Sequence, residues 1–499
     1  MEIKVVKERI AESPAEVLLL PVFSDKRSER RIRNLDRILK GSLSEIFKSG
    51  EFTGKANELY LVQSKRGLKI HRILLAGLGA AESAALNQIR EAFGKGAVYL
   101  RSRGFRKIAS VVTADLMVHE KLRDLTRAIV EGTLLGLYRF NLYKTEAEDK
   151  NEIEEFRLIV EDGKKLSEVE SAVRVAKCVA DGVALARDLG NQPSNVVTPG
   201  RLAEEAMKIG RELPVQVRIL EREDMEELKM GSFLGVSRGS EEPPKFIILE
   251  YMPRENKQPL VLVGKSITFD SGGISLKPAD KMEQMKGDMS GGAAVLSAIR
   301  VAAELKLPIN LVGLLPATEN LPSGTATKPG DILTSLSGKT IEVINTDAEG
   351  RLILADALTY AHRYKPEAIV DLATLTGAVV IALGGEAIGM LGTSDDLKER
   401  FRKAGEKTGE RVWELPLWQK YYDLIKSDVA DMKNTGGRGA GTITAAAFLS
   451  KFVEKKTPWI HLDIAGTAWT EADQPCIPKG NTGVGVRLLI QFMLDSLRR

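Results

Sequence analysis

Short apolar runs alternate with longer mixed runs through the first third of the chain. Val17-Leu18-Leu19-Leu20-Pro21-Val22 reads as a strand, as do Arg72-Ile73-Leu74-Leu75-Ala76 and Ile108-Ala109-Ser110-Val111-Val112. Apolar side chains at helical spacing predict helices near 84–103 and 117–138. This alternation predicts an α/β domain on a largely parallel sheet. A stretch dense in Glu, Asp and Lys at 145–156 marks a boundary, and a helix at roughly 166–189 leads away from it.

The remaining chain repeats the alternation on a larger scale. Strands are expected at Phe246–Glu250, Leu260–Val263, Asn310–Leu315, Thr340–Ile344, Ala368–Leu372 and Ile460–Ile464. Helices fit at about 289–305, 351–363, 395–404 and 442–453. The expected fold class is α/β with two domains, each a mostly parallel sheet flanked by helices. An N-terminal domain falls at 1–160, a linking helix at 161–190 and a larger domain, whose strand ends should carry the site, at 191–499. A chain of 499 residues needs more than one core. Sheets of this kind bind ligands beyond the carboxyl ends of their strands.

Composition narrows the class. With 43% apolar and 28% charged residues, the chain reads as an ordinary soluble protein. A net charge of +4 gives nucleic-acid binding little support. The basic run Lys26-Arg27-Ser28-Glu29-Arg30-Arg31-Ile32-Arg33 reads as one solvated helix face. Met1 to Lys7 lacks the apolar core of a secretory signal, and the uncharged stretch Leu372–Gly385 is too short and Gly-rich to span a bilayer. Both point to a cytoplasmic protein without a membrane partner. Cys178 and Cys476 cannot form a disulfide framework or a thiolate zinc site.

The candidate chemistry lies in two segments. Val263-Gly264-Lys265-Ser266-Ile267-Thr268-Phe269-Asp270-Ser271-Gly272-Gly273-Ile274-Ser275-Leu276-Lys277-Pro278 leaves an apolar strand. It carries Lys265, Asp270 and Lys277 on a Gly-rich backbone that lets ions approach closely. Asp288 follows, just before an Ala-rich helix. Asn345-Thr346-Asp347-Ala348-Glu349-Gly350-Arg351 leaves a second strand, and in extended chain Asp347, Glu349 and Arg351 point to one side. Carboxylates that close repel unless a cation lies between them. Taken singly, each aspartate reads as a cap or turn residue, each lysine as a surface residue, and Asp347 with Arg351 as an ion pair. Spacing alone leaves these readings and a metal site evenly balanced.

The histidines His71, His119, His362 and His461 show no ligand spacing, and His362 reads as a packing residue. A metal site here is therefore oxygen-rich, suited to Mn²⁺, Mg²⁺ or carboxylate-held Zn²⁺. Gly77-Leu78-Gly79, Gly54-Lys55-Ala56 and Asn434–Gly441 each lack part of a nucleotide-binding loop; the last reads as a mobile loop at the site rim.

Asn345-Thr346-Asp347-Ala348-Glu349-Gly350-Arg351-Leu352 resembles the signature of the leucyl (cytosol) aminopeptidases. Val263–Pro278, Gly287-Asp288-Met289-Ser290-Gly291 and Ala186-Arg187-Asp188-Leu189 with Asn191 and Pro193 are similar to further segments of that family. The resemblance covers roughly 165–499 and is weaker before it. It implies an enzyme that releases N-terminal residues, leucine and other apolar ones preferred, from peptides with a free N-terminus. The implied nucleophile is a metal-bridging hydroxide.

Lys265, Asp270, Asp288, Asp347 and Glu349 match the family's ligands for two divalent ions, Mn²⁺ or Zn²⁺, with Mg²⁺ a further candidate. Asp270 and Glu349 match the bridging positions, Asp347 a ligand of one ion, and Lys265 and Asp288 ligands of the other. Lys277 and Arg351 match catalytic positions, with bicarbonate beside the arginine as general base. Thr374, Gly377 and Ala465 match the lining of the apolar pocket for the first side chain. The family assembles as hexamers around its second domains. Ser266 stands where the family has glycine. Two other classes compete: a two-metal phosphoesterase, and an architectural DNA-binding role resting on basic stripes in the first domain.

Overall fold

The computed structural model describes residues 1–25, 29–64, 69–83, 85–112, 120–146 and 151–497. It divides into two compact units, Met1–Asp181 with Ala472–Pro478, and Gly182–Glu471 with Lys479–Arg499. The helix Leu166–Asn191 contains the point of division.

In the first unit the described strands form one six-stranded sheet, ordered Glu2–Val6, Glu155–Ile159, Lys107–Val111, Val17–Val22, Arg72–Gly77, Leu59–Gln63. All neighbours run parallel except the last pair. Every residue of Val17–Val22 is buried because the sheet is covered on both faces. Val17 and Leu19 join the core under the helices Leu86–Ser102 and Leu122–Leu137, whereas Leu18 and Leu20 meet Leu35, Leu43 and Phe52. That is the period-two alternation of a strand.

Three strands were not foreseen from the apolar pattern: Glu2–Val6, Leu59–Gln63 and Glu155–Ile159. Two of them carry charges that cancel only after pairing. Lys4 Nζ lies 2.6 Å from Glu155 Oε2, and Arg157 reaches Glu8 at 2.9 Å. The acidic stretch expected at the boundary therefore runs into a strand of this unit. Lys26–Ser28, residues 113–119 with His119, and residues 147–150 lie outside the described residues.

In the second unit the described strands form a nine-stranded mixed sheet. Its path is Val412–Glu414, Ile388–Gly392, Trp459–Asp463, Ala368–Ala373, Leu260–Gly264, Leu311–Asn320, Lys245–Tyr251, Gln216–Leu220. Ser266–Asp270 adds parallel to the far end of Leu311–Asn320. The centre is parallel, and antiparallel pairs lie toward both edges. Thr340–Glu342, expected as a longer strand, instead belongs to a separate three-stranded sheet with Ile332–Thr334 and Met432–Lys433. The helices Ser290–Glu304 and Gly350–Ala361 pack on the central strands. The carboxyl ends of Leu260–Gly264, Ser266–Asp270, Leu311–Asn320, Ala368–Ala373 and Trp459–Asp463 thus deliver Lys265, Asp270, Asn320, Thr374 and Ala465 to one region. Among the described residues no helix is long and apolar enough to cross a membrane.

Candidate metal centre

Two ammonium groups organise the carboxylates. Lys265 leaves the strand Leu260–Gly264 and is only 3% exposed. Its Nζ donates to Asp288 Oδ1 (2.9 Å) and Thr374 O (2.9 Å), and lies 2.8 Å from Glu349 Oε1. Lys277 Nζ lies 2.8 Å from Asp270 Oδ2 and also pairs with Asp347. Oxygens of Asp270, Asp347 and Glu349 lie within 4.8 Å of one another. The structure therefore brings together six of the seven expected residues, four carboxylates around two lysines. Ser266 donates Oγ to Gly264 O at 2.9 Å, so the departure from glycine is absorbed within the loop.

Asp347 and Glu349 do not converge by strand alternation, which corrects the extended-chain expectation. The chain turns at Thr346–Asp347, and Glu349 already has helical dihedrals, φ −76° and ψ −36°, at the cap of Gly350–Ala361. The turn is held from outside. Thr346 Oγ1 donates to Gly272 O (2.6 Å), and Ser275 N donates to Thr346 Oγ1 (2.8 Å). Asn434 Oδ1 accepts from Ile344 N (2.8 Å), and its Nδ2 donates to Asn345 O (2.7 Å). The segment read as a mobile rim loop therefore begins with a fully buried residue that braces the signature.

Burial and mutual repulsion set the electrostatics. Burial pushes the Asp347 carboxyl up to about 6, with Asp270 adding to the rise and Lys277 opposing it. Burial pushes Asp288 up to about 8, with Lys265 opposing and Asp270 and Glu349 adding. Asp270 is also raised, by burial and by Glu349. Burial would raise Glu349 too, but Lys265 and Lys277 outweigh it and hold it below the usual carboxylate range. Both lysines behave alike: burial lowers them, and the surrounding carboxylates win and raise them.

Arg351, the seventh residue, stands apart. It is 7% exposed, donates Nη1 to Asn434 O at 2.7 Å, and is brought down to about 10 by burial. Its Nε is buried with no hydrogen-bond partner among the described residues. The other six residues line a cavity of about 300 Å³ whose remaining wall includes Met285, Thr374, Gly377, Val380, Ala465, Ala468 and Trp469. Asp463 shapes that wall, accepting from Leu375 N (3.1 Å), Thr376 Oγ1 (2.6 Å) and Ala465 N (3.2 Å).

The donor set fits divalent cations. Four carboxylates against two lysines leave a buried excess of negative charge, and the converging oxygens are hard donors of the kind Mn²⁺, Mg²⁺ and Zn²⁺ accept.

Comparison with known proteins places this geometry. Residues 184–490 match the cytosol aminopeptidase family, catalytic domain, and residues 19–147 match the N-terminal domain of that family. The chain belongs to the cytosol aminopeptidase family. Membership makes it a metal-dependent aminopeptidase, a hydrolase acting on peptides. A "Probable cytosol aminopeptidase" of Geotalea uraniireducens is 48% identical over 96% of either chain. One of Syntrophotalea carbinolica is also 48% identical, over 95% of this chain and 96% of the relative. Among solved structures, a mutant of tomato leucine aminopeptidase is 35% identical with a TM-score of 0.88, covering 99% of this chain and 96% of that one. The bottromycin maturation enzyme BotP in complex with Mn is 32% identical with a TM-score of 0.84, covering 97% and 100%. Motif reading passed over Asn320 and placed Asn434 only in a rim loop, whereas Asn320 donates to Asp270 and Asn434 holds Asn345 and Arg351. The one available signal for Asn320 was its place where an apolar strand ends in polar residues.

Proposed function

We propose that this aminopeptidase removes leucine and other apolar residues first from peptides with a free N-terminus, using two divalent ions held by Lys265, Asp270, Asp288, Asp347 and Glu349. The observation that carries this reading is the convergence of four carboxylates on a cavity that Met285, Leu375, Val380, Ala465, Ala468 and Trp469 also line. Mn²⁺ or Zn²⁺ suits the donor set, with Mg²⁺ a further candidate. Lys265 joins as a ligand only as the neutral amine, and a dication's charge favours that form against the carboxylates. Bound there, the ions would acidify water toward hydroxide, polarise the scissile carbonyl and hold the free α-amine.

The chain's own groups do the rest. Lys277, whose Nζ lies 2.8 Å from Asp270 Oδ2, would as the ammonium donate to the oxyanion that develops on the carbonyl. Met285, Val380, Ala465 and Ala468 receive the first side chain. The buried, unpartnered Nε of Arg351 supports a place for bicarbonate, which would supply the general base. Exposed Ile381, Trp413, Trp418 and Val429, all in the second unit, supply apolar surface for a homohexamer. The match over 184–490 supports 191–499 as the catalytic domain, and the relatives' name supports a cytoplasmic location.

The test is hydrolysis of leucine p-nitroanilide after chelation and re-addition of each ion, alongside the N-acetylated substrate. Activity should vanish on chelation and return with metal, and the blocked substrate should be inert. Activity in metal-free protein, or cleavage of the blocked substrate, would refute the reading. Turnover of phosphate esters in place of anilides would favour a phosphoesterase.

A further inference from the structure

We infer that Asn320 is a positioning residue of this centre: its amide holds Asp270 Oδ1 and the Thr346 carbonyl, and so turns the other Asp270 oxygen toward the cations and fixes the turn that leads to Asp347 and Glu349. The inference rests on the metal-site reading above. Asn320 ends the strand Leu311–Asn320 and pairs with Asp270 in parallel register. It is 4% exposed. Its Nδ2 donates to Asp270 Oδ1 at 2.8 Å and to Thr346 O at 3.0 Å, and stands 3.5 Å from Glu349 Oε2. Every one of these partners is an acceptor, so the amide nitrogen, not its oxygen, must face them. The opposite oxygens point elsewhere: Asp270 Oδ2 is 2.8 Å from Lys277 Nζ, and Glu349 Oε1 is 2.8 Å from Lys265 Nζ. Asp270 thus has one oxygen held by a neutral donor and one presented to positive charge.

An amide is the right group for this place. A third ammonium would compete with the cations for the same oxygens, and another carboxylate would repel both neighbours. The amide stabilises the Asp270 anion and adds no charge. The surrounding loop is shaped to admit it. Gly273 has φ +66°, and a Cβ there would fall 2.8 Å from Asn320 Oδ1. Ser271 donates both N (3.0 Å) and Oγ (2.8 Å) to Asn320 O, tying the segment that carries Asp270 to the same residue. Asn320 therefore acts through main chain and side chain on Asp270, and through its side chain on the Thr346 turn that leads to Asp347 and Glu349.

Partners that orient metal ligands typically change affinity or activity by about 10–100-fold when removed. The test uses the full chain with Asn320→Leu, which keeps the bulk and removes the donors, and with Asn320→Ala. Each protein is stripped with chelator and titrated with Mn²⁺ by equilibrium dialysis, with circular dichroism and thermal unfolding of the stripped protein alongside. The expected result is a folded variant whose Mn²⁺ affinity falls about 10–100-fold and whose kcat falls more than KM rises. A merely structural role would lower the thermal midpoint and leave Mn²⁺ affinity alone. Affinity within about twofold of wild type, or failure of both variants to fold, overturns the inference. Wild-type protein that binds no Mn²⁺ overturns the metal-site reading itself, so the two failures are distinct.

Discussion

The stem of Lys265 lies against the backbone of Gly350, so close that a Cβ on Gly350 would fall 2.6 Å from Lys265 Cε. Gly350 opens the helix Gly350–Ala361, and alanine is a better helix former than glycine. Gly350→Ala therefore sets local propensity against the site. The variant should keep its helix content, while turnover of leucine p-nitroanilide falls by about 100-fold as the lysine is displaced. Circular dichroism with steady-state kinetics checks both halves, and wild-type turnover would show that the contact is dispensable.

Asp347→Ala and Glu349→Ala should each abolish activity and reduce bound metal. The buried Glu349 carries the larger effect, because its loss also strips Lys265 of a partner at 2.8 Å. Metal content by mass spectrometry after dialysis against Mn²⁺ is the measurement. Full occupancy in either variant would remove that residue from the ligand set.

Lys277→Met keeps the stem's bulk and removes the charge. The oxyanion it serves exists fully only near the transition state, so the loss should fall on kcat, by about 10²–10³, with KM little changed. Metal binding should hold, because Asp270 and Asp347 then face the ions without a competing ammonium. Lys265→Met is the contrast and should lose metal as well as rate. A wild-type kcat in Lys277→Met would make Lys277 a bystander.

Behind the site, His461 Nδ1 lies 2.6 Å from Asp371 Oδ1, and Trp459 Nε1 donates to Asp371 Oδ2 at 2.7 Å, all fully buried. Burial lowers the histidine's pKa, but the charge and hydrogen bond of Asp371, with Asp463 helping and Arg351 opposing, leave it raised above 6.5. The histidine's contribution to stability is complete below the unfolded-state value of about 6.5 and is lost as pH rises through the higher folded-state value. Asp371→Asn should lower the thermal midpoint at about pH 6 and flatten its decline toward about pH 9. Thermal unfolding across that range decides; an unchanged profile would mean that the pair does not titrate.

Val17–Val22 and Leu260–Gly264 were legible as strands because a segment covered on both faces must be apolar throughout, whatever covers it. Lys265, Asp270, Asp347 and Glu349 were legible as candidates because they crowd two segments that leave strands and that resemble the leucyl aminopeptidase signatures; spacing alone left caps, turns and ion pairs equally open. Glu155–Ile159 was not legible: its charges look like surface until Lys4 and Glu8 arrive from about 150 residues away. Cys476 Sγ likewise meets Arg90 O across 386 residues, which draws Ala472–Pro478 into the first unit. Asn320 and Asn434 are ordinary amides in sequence. Asn320 gains its role because sheet pairing sets it beside Asp270, and Asn434 because it lies against Asn345 and Arg351. Continuous apolar runs and clusters of reactive groups are readable along the chain, because burial preference and reactivity belong to each residue. Which of those groups meet is settled by folding, because hydrogen bonds and ion pairs depend on separations of a few ångströms between distant parts of the chain.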